Sequence, residues 1–365
     1  MERVGVGVIG CGNISPAYLK AARLFPILDV RGLADLDQQA AQARANEFSL
    51  KATSIEALLA DPTIEIVVNL TIPKAHVAVG LQAIAAGKHV HSEKPLGVAV
   101  AEARKLIEAA KRRRLRVGCA PDTFLGGAHQ TCRMLIDQGR IGRPIAGTAF
   151  FMCPGHERWH PNPTFYYQEG GGPMLDMGPY YITDLVNLLG PVARVAGMAT
   201  KLRNERTIAS EPRRGEKIPV KTATHVAGSL EFVSGAVITM AMSFDVPRHK
   251  HVPIELYGEA GALVVPDPNY FGGEIEIATA GEDWTPVPIE HAYADGNYRI
   301  IGAADMATAI REGRPHRASG ELAFHVLEVM EAFQRSYDSG RFIAIKSRPE
   351  RPLPLPAGLA IGELG

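Results

Sequence analysis

The spacing of apolar positions changes period along the first third of the chain. Residues 4–9 (Val-Gly-Val-Gly-Val-Ile) carry no charge, as in a strand buried on both faces. Similar short apolar runs recur at 29–34, 64–70, 88–91 and 116–120. Between them, helical spacing predicts helices at 17–25, 38–48, 55–59, 77–86 and 100–113. Strands alternating with helices predict a Rossmann-type doubly wound parallel sheet. After Pro121 the rhythm changes. A helix at 127–137 leads to a long strand at 145–152. A proline- and aromatic-rich loop at 154–173 then leads to a helix ending at 189. Extended segments follow at 192–201, 222–233, 236–244, 253–257, 262–265 and 274–279, with hairpin chemistry at Ser234-Gly235. Helices return at 303–311 and 321–336. This is an α+β pattern, a mostly antiparallel sheet with helices on one face. Its open face, Val237, Thr239 and Ala241 or their neighbours, is expected to pair with another subunit. The charged stretch 204–217 is expected to be a mobile excursion, and the proline-rich 348–365 an extended tail.

A chain of 365 residues is too long for one core. The expected division is 1–121 for the first domain, 122–347 for an α+β domain, and 348–365 for the tail. Basic and acidic residues balance at 39 each, so no field of one sign favours nucleic acid or an anionic membrane. No apolar run reaches the length of about 20 residues needed to cross a bilayer, and the N-terminus carries no export signal. Cys11, Cys119, Cys132 and Cys153 show no metal or disulfide spacing. They read as reduced thiols of a cytoplasmic protein, with no metal site.

The first strand ends in Gly10-Cys11-Gly12-Asn13-Ile14-Ser15. Gly10 permits a sharp turn, and Gly12 lets backbone approach a pyrophosphate favoured at a helix N-terminus. Ser15 stands where the dinucleotide fingerprint has Gly or Ala. Asp35 ends the second strand about 20 residues on. It reads as the acceptor of the ribose hydroxyls, favouring NAD over NADP, or else as a solvated loop carboxylate. Asn13 and Ile14 complete the cofactor loop. Thr71, Pro73 and His76 follow the third strand and are candidates for the nicotinamide side of the crevice. His76 also reads as a helix-start histidine without chemistry.

Glu93-Lys94-Pro95 follows the fourth strand, where the carboxyl ends of a doubly wound sheet face the ligand. Lys94 there can bond a substrate hydroxyl and help remove its proton, its pKa lowered by desolvation. The alternative is a surface lysine in a turn. Three glycines at 170–172 precede Pro173, Asp176 and Tyr180. Asp176 and Tyr180 share a helix face, with Pro179 expected in the first turn. Asp176 also reads as a cap and Tyr180 as a core aromatic. Trp159 offers an aromatic stacking surface or simply packs, and His160 beside it also reads as a loop histidine. Asp122 faces substrate or caps the next helix.

These motifs, in this order, resemble the glucose–fructose oxidoreductase / inositol dehydrogenase / MocA family across nearly the whole chain. The resemblance rests on residues 7–14, Asp35, Thr71-Ile72-Pro73 with His76, Glu93-Lys94-Pro95, and Gly170-Gly171-Gly172 with Asp176-Met177-Gly178. It implies a nicotinamide-dependent enzyme acting on a sugar or cyclitol hydroxyl, with Lys94 catalytic and Asp176 its partner. It also implies a homodimer or homotetramer. The family's second motif usually ends in histidine, where this chain has Tyr180. Tyr180, Lys94 and His160 are therefore all candidate bases. Two other classes stay open: an NAD-dependent glycoside-cleaving enzyme using transient oxidation, and a non-catalytic NAD-binding regulator.

Overall fold

The computed structural model describes residues 2–365, and among them two large sheets carry the architecture. The first is parallel throughout, in the order β2-β1-β3-β4-β5. Its strands are β1 (Val4–Ile9), β2 (Leu28–Ala34), β3 (Ile66–Asn69), β4 (His89–Ser92) and β5 (Val117–Cys119). A parallel bridge from Leu33 to Ala52 extends it beyond β2. The helices α1 (Ser15–Ala22), α2 (Gln38–Phe48), α3 (Ile55–Ala60), α4 (His76–Ala85) and α5 (Val100–Arg113) connect the strands. Val4, Val6, Val8 and Ile9 are fully buried. That is why β1 reads as a continuous apolar run and not as an alternating one. The strand order reverses between β1 and β3, so the loops after these strands splay apart and open a crevice.

The second sheet is mostly antiparallel, in the order β15-β14-β13-β12-β6-β11-β10-β7-β16. It comprises β6 (Pro144–Met152), β7 (Val192–Thr200), β10 (His225–Phe232), β11 (Val237–Ser243), β12 (Ile254–Gly258), β13 (Gly261–Val265), β14 (Ile275–Thr279), β15 (Thr285–Val287) and β16 (Ile343–Ala344). Only the β6–β11 pair is parallel within it. The long helices α7 (Pro173–Leu189) and α9 (Gly320–Ser339) pack on it, with α6 (Gly127–Asp137) at β13. The alternation along β11 buries Ile238, Met240 and Met242 and exposes Val237 and Thr239, while Ala241 is covered. α8 (Ile301–Glu312) and α9 also touch β5, tying the two sheets together.

Three expectations are corrected. Residues 204–217 do not form a mobile excursion. β8 (Glu205–Thr207) and β9 (Lys217–Pro219) pair as a hairpin whose Arg206 is 4% exposed. Pro179 is inside α7 and not in its first turn, which Pro173 occupies. The helix continues past it because its inner face is buried, which outweighs the one lost backbone bond. The tail from 348 has no helix or strand, yet it is docked. Leu355 and Leu364 are buried, and the Arg317 guanidinium donates to the carbonyls of Pro354, Leu364 and Gly365. Among the described residues no helix is long and apolar enough to cross a membrane.

Candidate active site

The loop after β1 is shaped for close approach. Gly10 has φ +106°, and a Cβ there would strike the Leu70 backbone at 2.5 Å. A Cβ on Gly12 would meet nothing within 4 Å, so its bareness leaves open space at the N-terminus of α1. Ser15 is buried and its hydroxyl donates to the Gly12 carbonyl at 2.7 Å, which braces the turn. Asp35 is fixed beside this loop, accepting from the Cys11 N–H at 2.7 Å and the Asp37 N–H at 2.9 Å. Leu36, next to it, is 93% exposed. A bare helix N-terminus, a fixed carboxylate one strand away and an exposed apolar side chain fit a dinucleotide's pyrophosphate, ribose and base.

A cavity of about 280 Å³ continues from this loop. Ile14, Thr71 and Pro73 line the end nearest that loop; Glu93, Lys94, Asp176, Tyr180 and Arg299 form its floor; Phe165, Tyr166, Gly170, Gly171 and Leu175 form its far wall. Lys94 Nζ donates to Asp176 Oδ1 at 2.8 Å and to the Asp176 carbonyl at 2.7 Å. An ammonium has three N–H groups, so one is left for the cavity. The expected lowering of the Lys94 pKa is reversed. Burial alone would depress it, but Asp176, Tyr180 and Glu93 outweigh burial and hold it above the usual lysine value. Burial likewise pushes the Asp176 carboxyl up, yet Lys94 and His156 outweigh that and hold it at about 2. The resident state is therefore a desolvated ion pair. Glu93 supports it from behind, accepting from the Tyr18 hydroxyl at 2.7 Å and the Lys94 N–H at 2.9 Å.

Tyr180 lies where α7 brings it, one turn beyond Asp176. Lys94 Nζ sits over its ring, 5.0 Å from the centroid, and its phenol neighbours Arg299. The ammonium thus meets the ring face and not the hydroxyl. Arg299 is anchored by Asn269, whose carbonyl and Oδ1 accept from Nη2 at 3.2 and 3.0 Å.

Three candidate residues are placed away from the cavity. His76 is fully buried, its ring nitrogens 2.7 Å from the Pro95 carbonyl and 2.9 Å from the Thr71 carbonyl. It fastens two site loops together and does not line the cavity. Asp122 is buried and accepts from the N–H groups of Ile300 and Gly302, both at 3.0 Å. It holds the start of α8 and does not line the cavity; burial pushes its carboxyl up to about 6. His160 accepts from the Asn162 N–H at 3.0 Å and stands edge-on to Trp159, Phe165 and Tyr166.

The histidine that meets Asp176 is His156, which the sequence did not single out. Its Nε2 lies 3.0 Å from Asp176 Oδ2, and its Nδ1 accepts from the Trp159 indole N–H at 3.2 Å. Accepting at Nδ1 leaves Nε2–H as donor to the carboxylate. Arg299, Phe165 and Tyr166 were also missed. The His156 loop is held from below by the hairpin. Arg206 donates to Glu157 Oε1 at 3.0 Å, to the Pro154 carbonyl at 3.2 Å, and to Asp245, while Tyr167 donates to Glu157. Arg206→Ala would strand two buried carboxylates. It should destabilise the fold by about 3–5 kcal/mol, read as a lower denaturation midpoint. An unchanged midpoint would show that the cluster is no anchor.

Comparison with known proteins agrees with this geometry. Residues 4–120 match the family model described as an oxidoreductase family with an NAD-binding Rossmann fold, and residues 129–264 match the GFO/IDH/MocA C-terminal domain. A levoglucosan dehydrogenase of Pseudarthrobacter phenanthrenivorans is 24% identical over 361 residues, covering 86% of this chain and 90% of that one. A 1,5-anhydro-D-fructose reductase of Ensifer adhaerens is 35% identical over 144 residues, covering 39% of this chain and 42% of that protein. Among solved structures, a levoglucosan dehydrogenase in complex with NADH and levoglucosan superposes with a TM-score of 0.81 at 21% identity, covering 94% of this chain and all of that one. At that identity the likeness shows the fold.

Proposed function

Because this chain belongs to the glucose–fructose oxidoreductase / inositol dehydrogenase / MocA family, we propose that it moves a hydride between NAD and a carbinol carbon of a sugar, sugar derivative or cyclitol. The observation that carries this reading is the Lys94–Asp176 pair on the floor of a cavity continuous with the dinucleotide loop. Bound NAD(H) supplies or takes the hydride. Lys94 holds the substrate oxygen with its remaining N–H: as an ammonium it gives a proton to that oxygen when a carbonyl is reduced, and to take the hydroxyl proton in the oxidation it must first lose its own to solvent. Asp176 keeps that ammonium in place, and His156 keeps Asp176 in place. Tyr180 and Arg299 close the floor and orient the ring. The Asp176–His156 bond gives this chain a histidine at the carboxylate even though the helix carries Tyr180. The test is NADH formation from NAD⁺ against inositols, aldoses, anhydrosugars and glycosides. Turnover of none of them, with cofactor still bound, would favour a regulator instead.

Asp35 supports NAD over NADP, since a 2′-phosphate would face a fixed carboxylate. Asp35→Ser should narrow that preference about tenfold, the scale of one charge repulsion of about 1 kcal/mol in well-hydrated surroundings. It should also weaken NAD itself, because the Cys11 brace is lost. Wild-type protein binding NADP(H) as tightly as NAD(H) would overturn the assignment.

The exposed face of the second sheet supports a homodimer or homotetramer. It presents Val237, Thr239 and, on β7, Met198, which is 68% exposed. Light scattering should show more than one copy per particle at micromolar concentration; a monomer would end this part. The unpaired state of Cys11, Cys119, Cys132 and Cys153 is in keeping with a cytoplasmic setting.

A further inference from the structure

We infer that the aromatic rim outside the catalytic cavity is a subsite for a second ring, so that the substrate class is a glycoside or disaccharide and not a free monosaccharide. The inference rests on the hydride-transfer reading for the inner site. At about 280 Å³ the cavity lies at the small end of ligand pockets, which run from about 300 to 1,000 Å³. The nicotinamide must share the end nearest the dinucleotide loop, which leaves space for one sugar ring over Lys94 and Asp176.

The aromatic wall does not stop where the cavity stops. Phe165 and Tyr166 line it and lie against each other, ring centroids 4.0 Å apart. His160 stands edge-on to both, at 5.5 and 5.4 Å, and Trp159 edge-on to His160 at 5.3 Å. Trp159 is 61% exposed and Phe165 47%. Neither exposure is explained by a loose loop. The His160 carbonyl accepts from the Ser210 hydroxyl at 2.6 Å. Arg213 donates to Asn162 Oδ1 at 2.6 Å and to the Thr164 hydroxyl at 2.9 Å.

The indole's one polar group is turned inward, onto His156 Nδ1. What remains outward is ring surface that water solvates poorly. Trp159 and Phe165 expose ring surface on either side of His160, next to the cavity that Phe165 and Tyr166 line, and exposed apolar surface bordering a pocket favours a ligand there. A ring with a C–H-rich face and an equatorial hydroxyl edge suits an exposed aromatic plate, and Arg158, next to Trp159 in the chain, is exposed. The continuity of the wall with the inner cavity argues for one ligand spanning both. The same contact gives the outer ring a route to the chemistry: Trp159 bonds His156, which bonds Asp176.

The protein has two tryptophans, so Trp284→Phe leaves Trp159 as the only indole reporter. This variant, saturated with NADH, is titrated with pairs that share a non-reducing ring: glucose with maltose and cellobiose, galactose with lactose, mannose with mannobiose, xylose with xylobiose. For the ring that is accepted, the disaccharide should bind about tenfold tighter than the monosaccharide, the scale of one well-made aromatic contact, and should change Trp159 emission where the monosaccharide does not. In Trp159→Ala the disaccharide-to-monosaccharide ratio of kcat/KM should fall to about one, whatever happens to the absolute rate. Trp159→Phe should keep the ratio, because it keeps the face and loses only the N–H.

Monosaccharides oxidised as well as any disaccharide would overturn the subsite and leave the hydride-transfer reading standing. Disaccharide-dependent emission with no oxidation of any sugar would do the reverse. Trp159 emission that is already shielded without sugar and changes on dilution would assign the rim to a second copy of the chain, and the subsite would fail.

Discussion

Lys94→Ala is expected to leave NAD(H) binding nearly intact and to cut turnover by about two to four orders of magnitude, the range for a group that handles the proton in the transition state. In the proposed reading the cofactor's main holds are elsewhere, at Gly12 and Asp35. The loss should therefore appear in kcat, with the cofactor's Kd changed little. The variant should stay folded, because removing Lys94 leaves Asp176 with its His156 bond at 3.0 Å. A Lys94→Ala protein with normal turnover would remove the mechanism.

Asp176→Asn should be nearly as damaging to turnover, about two orders of magnitude or more, and should also cost stability. The amide keeps the shape but leaves the Lys94 ammonium desolvated without a counter-charge. Breaking such a buried pair from one side typically costs about 3–5 kcal/mol. With the carboxylate gone, the largest of the forces raising the Lys94 pKa is lost, and burial is opposed only by Tyr180 and Glu93, so the pKa falls. In the reduction direction, where Lys94 must carry a proton, the basic limb of the pH–rate profile should therefore move to lower pH. Kinetics across pH and a denaturation curve together check this. Wild-type stability with an unmoved basic limb would show that the pair is not coupled.

The parts of this site that could be read in the sequence are those held by local backbone. Gly10, Gly12 and Asp35 follow strands at fixed offsets, and Lys94 follows a strand whose carboxyl end must face the crevice. Asp176 is announced by the glycines before it and shares a face with Tyr180 through helical spacing alone. Residues whose role depends on a partner far along the chain were not legible. His156 and His160 stand in one loop with equal claim; a short 3₁₀ turn at His156–Arg158 turns His156 inward, and no pattern within the loop marks that. Arg206 reads as one charge in a charged stretch. It is buried because a three-residue strand points it inward between exposed neighbours, too short a run for alternation to show. Arg299 sits in an irregular connection, and its partners Asn269 and Tyr180 are distant in sequence. His76 and Asp122 are held by contacts their positions in the sequence do not announce. Each lies beside the crevice in the chain, but buried backbone groups took their side chains as hydrogen-bond partners.

The most direct test of hydride transfer is to follow the hydride itself. The carbinol-deuterated form of whichever sugar, cyclitol or anhydrosugar reduces NAD⁺ is incubated with the protein, and the cofactor is analysed by mass spectrometry. The expected result is one deuterium on the nicotinamide C4 for each product formed, accumulating about two to four orders of magnitude more slowly in Lys94→Ala. Product formed with no deuterium on the cofactor, or deuterium returned to the product with no net NADH, would contradict the account and point to transient oxidation followed by cleavage.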